Sequence, residues 1–175
     1  LHIDRHLQGL MEGGSGSDVF IIDIDGSHWD SGDSMNLNDS NNNNIIEPVE
    51  VEYGPLVIAD FEDSVDKIGL FGNWSGKTIV VQQGTGNMSN HTFLLTGAAE
   101  RGGDSDFHYW AILWNTSAGS ITADDFVLVN GSYVTSALSG VTISTSTSDA
   151  GYTPEDGQLN FDENGSESTP QNSGL

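Results

Sequence analysis

The sequence predicts an all-β protein, and three observations support this prediction. Seven short runs rich in Val, Ile, Phe and Trp lie between residues 45 and 129, with glycine or polar residues between them. The chain contains 22 glycines, and most of its acidic residues are aspartates, which favour turns over helix interiors. Helical patterning is limited to one candidate turn at Thr122–Asp125, where Thr122 can cap an acidic first turn.

The predicted strands follow from these runs in chain order. A glycine turn precedes the first run, residues 19–24, and an Asp-Gly turn follows it. Residues 27–44 then form a long polar loop, beyond which the seven runs favour an antiparallel β-sandwich. The seven runs are Val49–Tyr53, Leu56–Phe61, Lys67–Phe71, Thr78–Gln82, Thr92–Thr96, Tyr109–Trp114 and Phe126–Val129.

Composition divides the chain into four segments. Residues 1–46 are rich in glycine and aspartate and include the long polar loop, whereas residues 47–131 form the β-sandwich-like domain. Residues 132–148 alternate Ser and Thr with Val, Leu and Ile, which predicts a further strand, either at a sheet edge or exchanged with a neighbouring molecule. Residues 149–175 are acidic and polar, as expected for a linker or a tail ordered by a partner.

The charge of the chain argues against several partners. Its 26 acidic residues outnumber 4 basic ones, for a net charge of −22 at pH 7. Such a surface repels phosphate backbones and anionic lipids, so neither nucleic acid nor a membrane is an expected partner. No apolar run approaches the roughly 20 residues of a membrane-spanning helix. The absence of cysteine excludes disulfide scaffolds, thiol catalysis and cysteine-ligated zinc.

We expect no catalytic site. The five histidines are dispersed, and neither an H-E-x-x-H nor a G-x-S-x-G motif occurs. Acidic pairs are too abundant for their spacing to indicate glycosidase chemistry. Five aromatic residues could form a sugar-binding platform, although core positions of a β-sandwich explain their pattern better. These residues are Trp29, Trp74, Tyr109, Trp110 and Trp114.

One motif indicates a cation-binding site. Residues 13–21 fit the nine-residue pattern G-G-x-G-x-D-x-U-x at every fixed position. Glycines allow positive φ, so that backbone carbonyls can face a cation, and Asp18 adds a carboxylate. Calcium takes six to eight oxygen ligands, which adjacent turns would share. The alternative interpretation is a flexible glycine turn.

This nonapeptide resembles the calcium-binding β-roll repeats of the RTX family of secreted bacterial proteins. Residues 57–70 look like the segment that follows the last roll turn in such proteins, including the C-terminal domains of serralysin-type proteases. Residues 111–114 and 121–128 look like the closing strands of that module. The chain departs from the family in having one intact repeat, and Ser64 stands where the family has glycine. The resemblance implies a short roll turn, then a capping domain, with calcium as the bound ion.

The resemblance and the acidic turns give the candidate calcium ligands. For Asp23 and Asp25, a solvated acidic loop is the competing interpretation. The three aspartates of residues 60–66 could surround one ion, although a turn with Lys67 as its counter-charge fits equally well. The candidate ligands are Gly14, Gly16, Asp18, Asp23, Asp25, Asp60, Asp63 and Asp66.

The chain also contains more N-x-[ST] sequons than its composition predicts. They suggest a glycosylated surface protein, although turns rich in Asn, Ser and Thr produce the same pattern. The candidate acceptors are Asn38, Asn73, Asn87, Asn90, Asn115, Asn130 and Asn164.

These observations predict a secreted, non-catalytic β module that folds or stiffens on binding extracellular calcium. No signal-peptide pattern opens the chain, so any export signal is expected to be missing or already removed. An alternative is a self-assembling subunit of an extracellular filament or a cell-surface layer, and a weaker one is a carbohydrate-binding domain. The expected partners are calcium ions and either copies of the chain or the rest of a larger secreted protein.

Overall fold

The computed structural model describes residues 9–23, 29–30, 36–37, 48, 51–53, 55–85, 88–96, 108–131 and 135–146. These residues are almost entirely strand and turn, which confirms the all-β prediction. The 3-10 turn Ala123–Asp125 is capped by Thr122 as predicted. The strands are β1 Leu10–Met11, β2 Val19–Asp23, β3 Trp29–Asp30, β4 Asn36–Leu37, β5 Val51–Tyr53, β6 Leu56–Ile58, β7 Lys67–Phe71, β8 Thr78–Gln83, β9 Thr92–Thr96, β10 His108–Leu113, β11 Phe126–Val129, β12 Thr135–Ala137 and β13 Thr142–Ser146.

The described strands form two mixed sheets and a short ribbon of β4 and β5. The larger sheet has the order β1-β6-β10-β9-β8-β13, with β3 also beside β10, and the smaller sheet has the order β12-β11-β7-β2. Pairing is parallel from β1 through β6 to β10, from β2 through β7 to β11, and between β8 and β13. The expectation of an antiparallel domain is wrong for these pairs, because apolar alternation along a strand does not record the direction of its neighbour.

Parallel pairing arises because the chain passes three times from the larger sheet to the smaller one. Each passage, which we call a coil, is a strand, a turn and a second strand. Val57 lies between Leu10 and Ile112 in the larger sheet, so the coils stack in register. The coils are coil 1 (β1, first turn at residues 12–18, β2), coil 2 (β6, second turn at residues 59–66, β7) and coil 3 (β10, third turn at residues 114–125, β11).

The main core lies between the two sheets. Phe20, Ile68 and Phe126 of the smaller sheet join Ile58 and Leu113 of the larger sheet in one buried cluster. A second buried cluster occupies the opposite face of the larger sheet, so this sheet is apolar on both faces, and its strands read as nearly continuous apolar runs. The second cluster contains Val57, Met88, Phe93, Leu95, Tyr109, Ile112 and Trp114.

The Ser/Thr-rich segment of residues 132–148 contains two short described strands where the sequence predicted one. β12 is the last strand of the smaller sheet, and β13 is the last strand of the larger sheet. Gly140 lies between them with a φ of 75°, a left-handed conformation that favours glycine. Each strand is therefore the last described strand of its sheet, and the exchange of this segment with a neighbouring molecule stays a prediction.

Candidate functional site

The second turn is fixed by a buried carboxylate. Asp66 is 2% exposed, and each of its oxygens accepts a backbone N–H. Oδ1 accepts from the amide of Asp18 at 2.9 Å, and Oδ2 accepts from the amide of Glu62 at 2.9 Å. Asp18 belongs to coil 1. The side chain of Asp66 therefore closes the second turn and also bonds this turn to the preceding coil.

The third turn repeats this arrangement one coil further on. Oδ2 of Asp125 accepts from the amide and the hydroxyl of Thr122, at 2.8 and 3.1 Å. Its Oδ1 accepts from the amide of Ser64 in coil 2, at 3.5 Å. Ser64 has a φ of 65°, so it occupies the left-handed conformation that glycine adopts most readily.

The first turn has an aspartate in the same place, directly before its second strand, but uses it differently. Oδ2 of Asp18 is buried and has no hydrogen-bond partner among the described residues. The carboxyl group lies against Gly13, where an added Cβ would come within 2.9 Å of Cγ and Oδ2. Only glycine therefore leaves room for this carboxylate.

Carboxylates of coil 2 hold the backbone of the first turn. The amides of Gly13 and Gly14 donate to the two oxygens of Asp60, at 2.9 and 2.8 Å. Gly14 and Gly16 have φ values of 81° and 125°, which L side chains rarely adopt. Consecutive N–H groups in such a turn form a concavity suited to an anion, and Asp60 fills it.

An open cleft of about 330 Å³ lies beside this turn, between residues 10–13 and residues 18–20. Its lining includes Glu12, which is exposed, and Asp18. Within the described ranges, no three or more His, Asp or Glu side chains come together in a group that could hold a metal ion. A cation in this turn would therefore depend on one or two carboxylates, on backbone carbonyls and on water.

The other predicted ligands have different surroundings. Both oxygens of Asp60 and of Asp66 accept backbone N–H groups, and exposed Asp63 accepts from the hydroxyl of Ser64 at 3.3 Å. Asp23 is 7% exposed at the end of β2. Asp25 lies outside the described residues. The assignment of these aspartates as ligands stays a prediction.

Sequence reasoning gave no role to His91, which anchors the third turn. Its ring stacks on Trp114 with centroids 3.8 Å apart, and its Nδ1 accepts from the amide of Asn115 at 2.9 Å. Burial lowers the pKa of His91 to about 4, because the protonated ring would lose its hydration. Beside it, Oε1 of Gln83 accepts from the amide of Ala118 at 2.9 Å. Dispersed histidines offer no sequence signal for such a contact.

The aromatic residues and the sequons differ in exposure. Trp74, Tyr109, Trp110 and Trp114 are buried, so their rings pack in the core and offer no open face to a sugar. The side chain of Trp29 is not among those that the structure describes. The exposed sequon residues are Asn73, Asn90, Asn115 and Asn130. The sequons beyond the described residues are Asn38, Asn87 and Asn164.

Comparison of the chain with protein-family models, with curated proteins and with solved structures found no match. The resemblance to RTX proteins therefore stays a prediction from the sequence. In the part of the chain that the structure describes, no helix is long and apolar enough to cross a membrane.

Proposed function

We propose that this chain is a non-catalytic β module whose first turn binds calcium and becomes stiffer when it does so. The observation that supports this proposal is the buried Oδ2 of Asp18, which has no hydrogen-bond partner among the described residues. Such an oxygen costs about 1–3 kcal/mol, and more when it carries charge. A cation bound to it offsets that cost.

Calcium suits this position better than other common cations. Asp18 contributes a carboxylate, Glu12 lies on the same cleft, and backbone carbonyls of the turn are the further oxygens that the proposal requires. Calcium accepts such mixed oxygen ligands in flexible geometry, whereas magnesium demands a near-ideal octahedron and keeps its water. When bound, the ion would supply positive charge and link carboxylate and carbonyl oxygens that cannot hydrogen-bond to one another.

The proposal places the protein outside the cell, either secreted or at the cell surface. Calcium is abundant there, and a chain with a charge of −22 is destabilised by its own repulsion until cations reduce that charge. An ion that binds only the folded form stabilises it by mass action. Folding and calcium concentration are then linked, as the resemblance to secreted proteins also implies.

The test is calcium-dependent thermal unfolding of the wild type and of Asp18→Asn. At a calcium concentration about 100 times the dissociation constant, the stabilisation is about 2.7 kcal/mol, which raises Tm by roughly 5 °C or more. Asp18→Asn should lose most of this rise. Asp124→Asn is the matched control, because it makes the same change at an exposed residue of the third turn.

Magnesium at the same concentration separates binding from screening, because any divalent cation reduces repulsion in so acidic a chain. The proposal expects a clear excess of the calcium effect over the magnesium effect in the wild type and in Asp124→Asn. Equal effects of the two ions, or an undiminished calcium effect in Asp18→Asn, would show that the first turn is not a calcium site.

A further inference from the structure

Asn130 differs from the other exposed asparagines in the residue that follows it. Four asparagines are exposed in the part of the chain whose side chains the structure describes. Three of them precede a buried residue, namely Trp74, His91 or Thr116, with exposed fractions of 2%, 5% and 7%. Asn130 precedes Gly131, which is exposed. The Asn130–Gly131 pair is therefore open to solvent at both residues, unlike the other three pairs.

The amide nitrogen of Gly131 has no hydrogen-bond acceptor among the described residues. In the corresponding position after Asn90, the amide of His91 donates to the carbonyl of Met88 at 2.9 Å. An amide that is held in this way has to break its hydrogen bond before its nitrogen can react. No described group restrains the nitrogen of Gly131 in the same manner.

The space beside Gly131 is open as well. A Cβ atom placed on Gly131 would meet no described atom within 4 Å, and the φ of this residue lies outside the left-handed region. The strand before Asn130 is fixed, since Val129 is 5% exposed and pairs with Phe71 on one side and Thr135 on the other. Because glycine has no Cβ, no described atom hinders the approach of its nitrogen to the Asn130 side chain.

We propose that Asn130 is a site of spontaneous deamidation. The amide nitrogen of Gly131 loses its proton to solvent base and attacks Cγ of Asn130. The new N–C bond closes a five-membered succinimide ring, while the bond from Cγ to the side-chain nitrogen breaks and ammonia leaves. Water then opens the ring at one of its two carbonyls and gives either aspartate or isoaspartate at position 130. Water is the co-reactant, and no oxidant or reductant takes part.

This reaction introduces charge into a part of the chain that has none. Residues 126–148 contain no Asp, Glu, Lys or Arg. Either product carries one new carboxylate, so the net charge at pH 7 changes from −22 to −23 (−22 − 1). The new charge lies directly after β11, which is paired with β7 and β12 in the smaller sheet. Isoaspartate also adds a methylene group to the main chain between β11 and β12.

Peptide mass spectrometry of the aged, folded full chain tests this proposal. The protein comes from a host that does not attach glycans to asparagine, because Asn130 also begins a sequon. Chelator is present throughout, so the outcome does not depend on the proposed calcium site. We expect both aspartate and isoaspartate at position 130, and faster conversion at mildly alkaline than at mildly acidic pH, because the deprotonated amide is the nucleophile.

Three outcomes would overturn the proposal. The first is an unchanged Asn130 in the folded chain under conditions that convert it in the chain unfolded by urea. The second is aspartate without isoaspartate, which direct hydrolysis gives and a succinimide does not. The third is equal conversion at Asn73, Asn90 and Asn115, because the buried residues after these asparagines should slow the reaction there.

Gly131→Ala tests the role of the nucleophile with little change in structure, since the added Cβ meets no described atom. The methyl group hinders ring closure, and deamidation at Asn130 should slow about tenfold or more, equal to about 1.4 kcal/mol in activation free energy. Gly119→Ala is the matched control, because its Cβ would lie 3.7 Å from Oγ of Ser117 in ordinary contact. Equal deamidation rates in the two variants would contradict the mechanism, and thermal unfolding verifies that both are folded.

Discussion

The first and second turns have an aspartate at the same position and use it in opposite ways. Asp66 has a backbone N–H on each oxygen, one of them from the preceding coil. Asp18 donates its own amide to that bond, while its Oδ2 has no partner among the described residues. The same residue type is therefore satisfied by backbone N–H groups inside the stack, whereas in the first turn, where no described coil precedes it, one of its oxygens has no described partner.

The largest expected effect comes from removing the structural member of this pair. Asp66→Ala leaves the amides of Asp18 and Glu62 without their acceptor, and each unsatisfied buried donor costs about 1–3 kcal/mol. We expect the free energy of unfolding to fall by about 3 kcal/mol, as measured by urea denaturation. A loss as small as that of an ordinary surface substitution would mean that the second turn does not depend on this carboxylate.

Low pH should destabilise the third turn. The pKa of His91 is about 4 in the folded chain, against 6.5 for an unperturbed ring, so the unfolded state binds the proton first as pH falls. The contribution of His91 is complete above pH 6.5 and is lost as pH falls to about 4, at a cost of about 3 kcal/mol. His91→Gln lacks this titration, so urea denaturation over this pH range should show a smaller loss than in the wild type.

Removing Asp125 should have a smaller effect than removing Asp66, because its bond to the preceding coil is long at 3.5 Å. Asp125→Ala still loses the cap at Thr122, and the expected cost is about 2 kcal/mol. Asp124→Ala is the control, since Asp124 is an exposed neighbour in the same turn. Equal free energies of unfolding for the two variants, measured by thermal or urea denaturation, would argue against a stabilising role for the hydrogen bonds of Asp125.

The smallest effect is expected at Asp18 itself. In chelator, Asp18→Asn should change the free energy of unfolding by no more than about 0.5 kcal/mol, or raise it, because a buried charge without a partner is removed. Asp66→Asn makes the same chemical change at the equivalent position and should destabilise clearly, since the new amide N–H₂ group faces a backbone donor. If urea denaturation gave similar losses in the free energy of unfolding for both variants, the two aspartates would not differ in the way described.

Much of the fold could be predicted from the sequence. Three strands, Lys67–Phe71, Thr92–Thr96 and Phe126–Val129, have the bounds that their apolar runs indicate, and the Thr122 cap is present. Local composition determines these features, because turn residues and β-branched runs act over a few positions. Strand direction depends on contacts between residues far apart in the chain, and it could not be predicted in the same way.

The candidate site shows the same difference between local features, which could be predicted, and long-range contacts, which could not. The glycine turn and Asp18 stand out locally, since a motif of nine residues contains them. The carboxylates that hold this turn come from residues 60 and 66. No local pattern distinguishes a carboxylate that accepts two backbone N–H groups from one that faces an ion. His91 was missed for the same reason, because its partners are Trp114 and Asn115.

The ties between turns also set a kinetic property of the molecule. The bonds from Asp60 to Gly13, from Asp66 to Asp18 and from Asp125 to Ser64 join residues 47, 48 and 61 positions apart. Contacts of such high sequence separation lower folding rates, because each coil must close a long loop before it gains any pairing. During synthesis, coil 1 emerges before coil 2, so β1 and β2 stay without their neighbouring strands until β6 and β7 have been made.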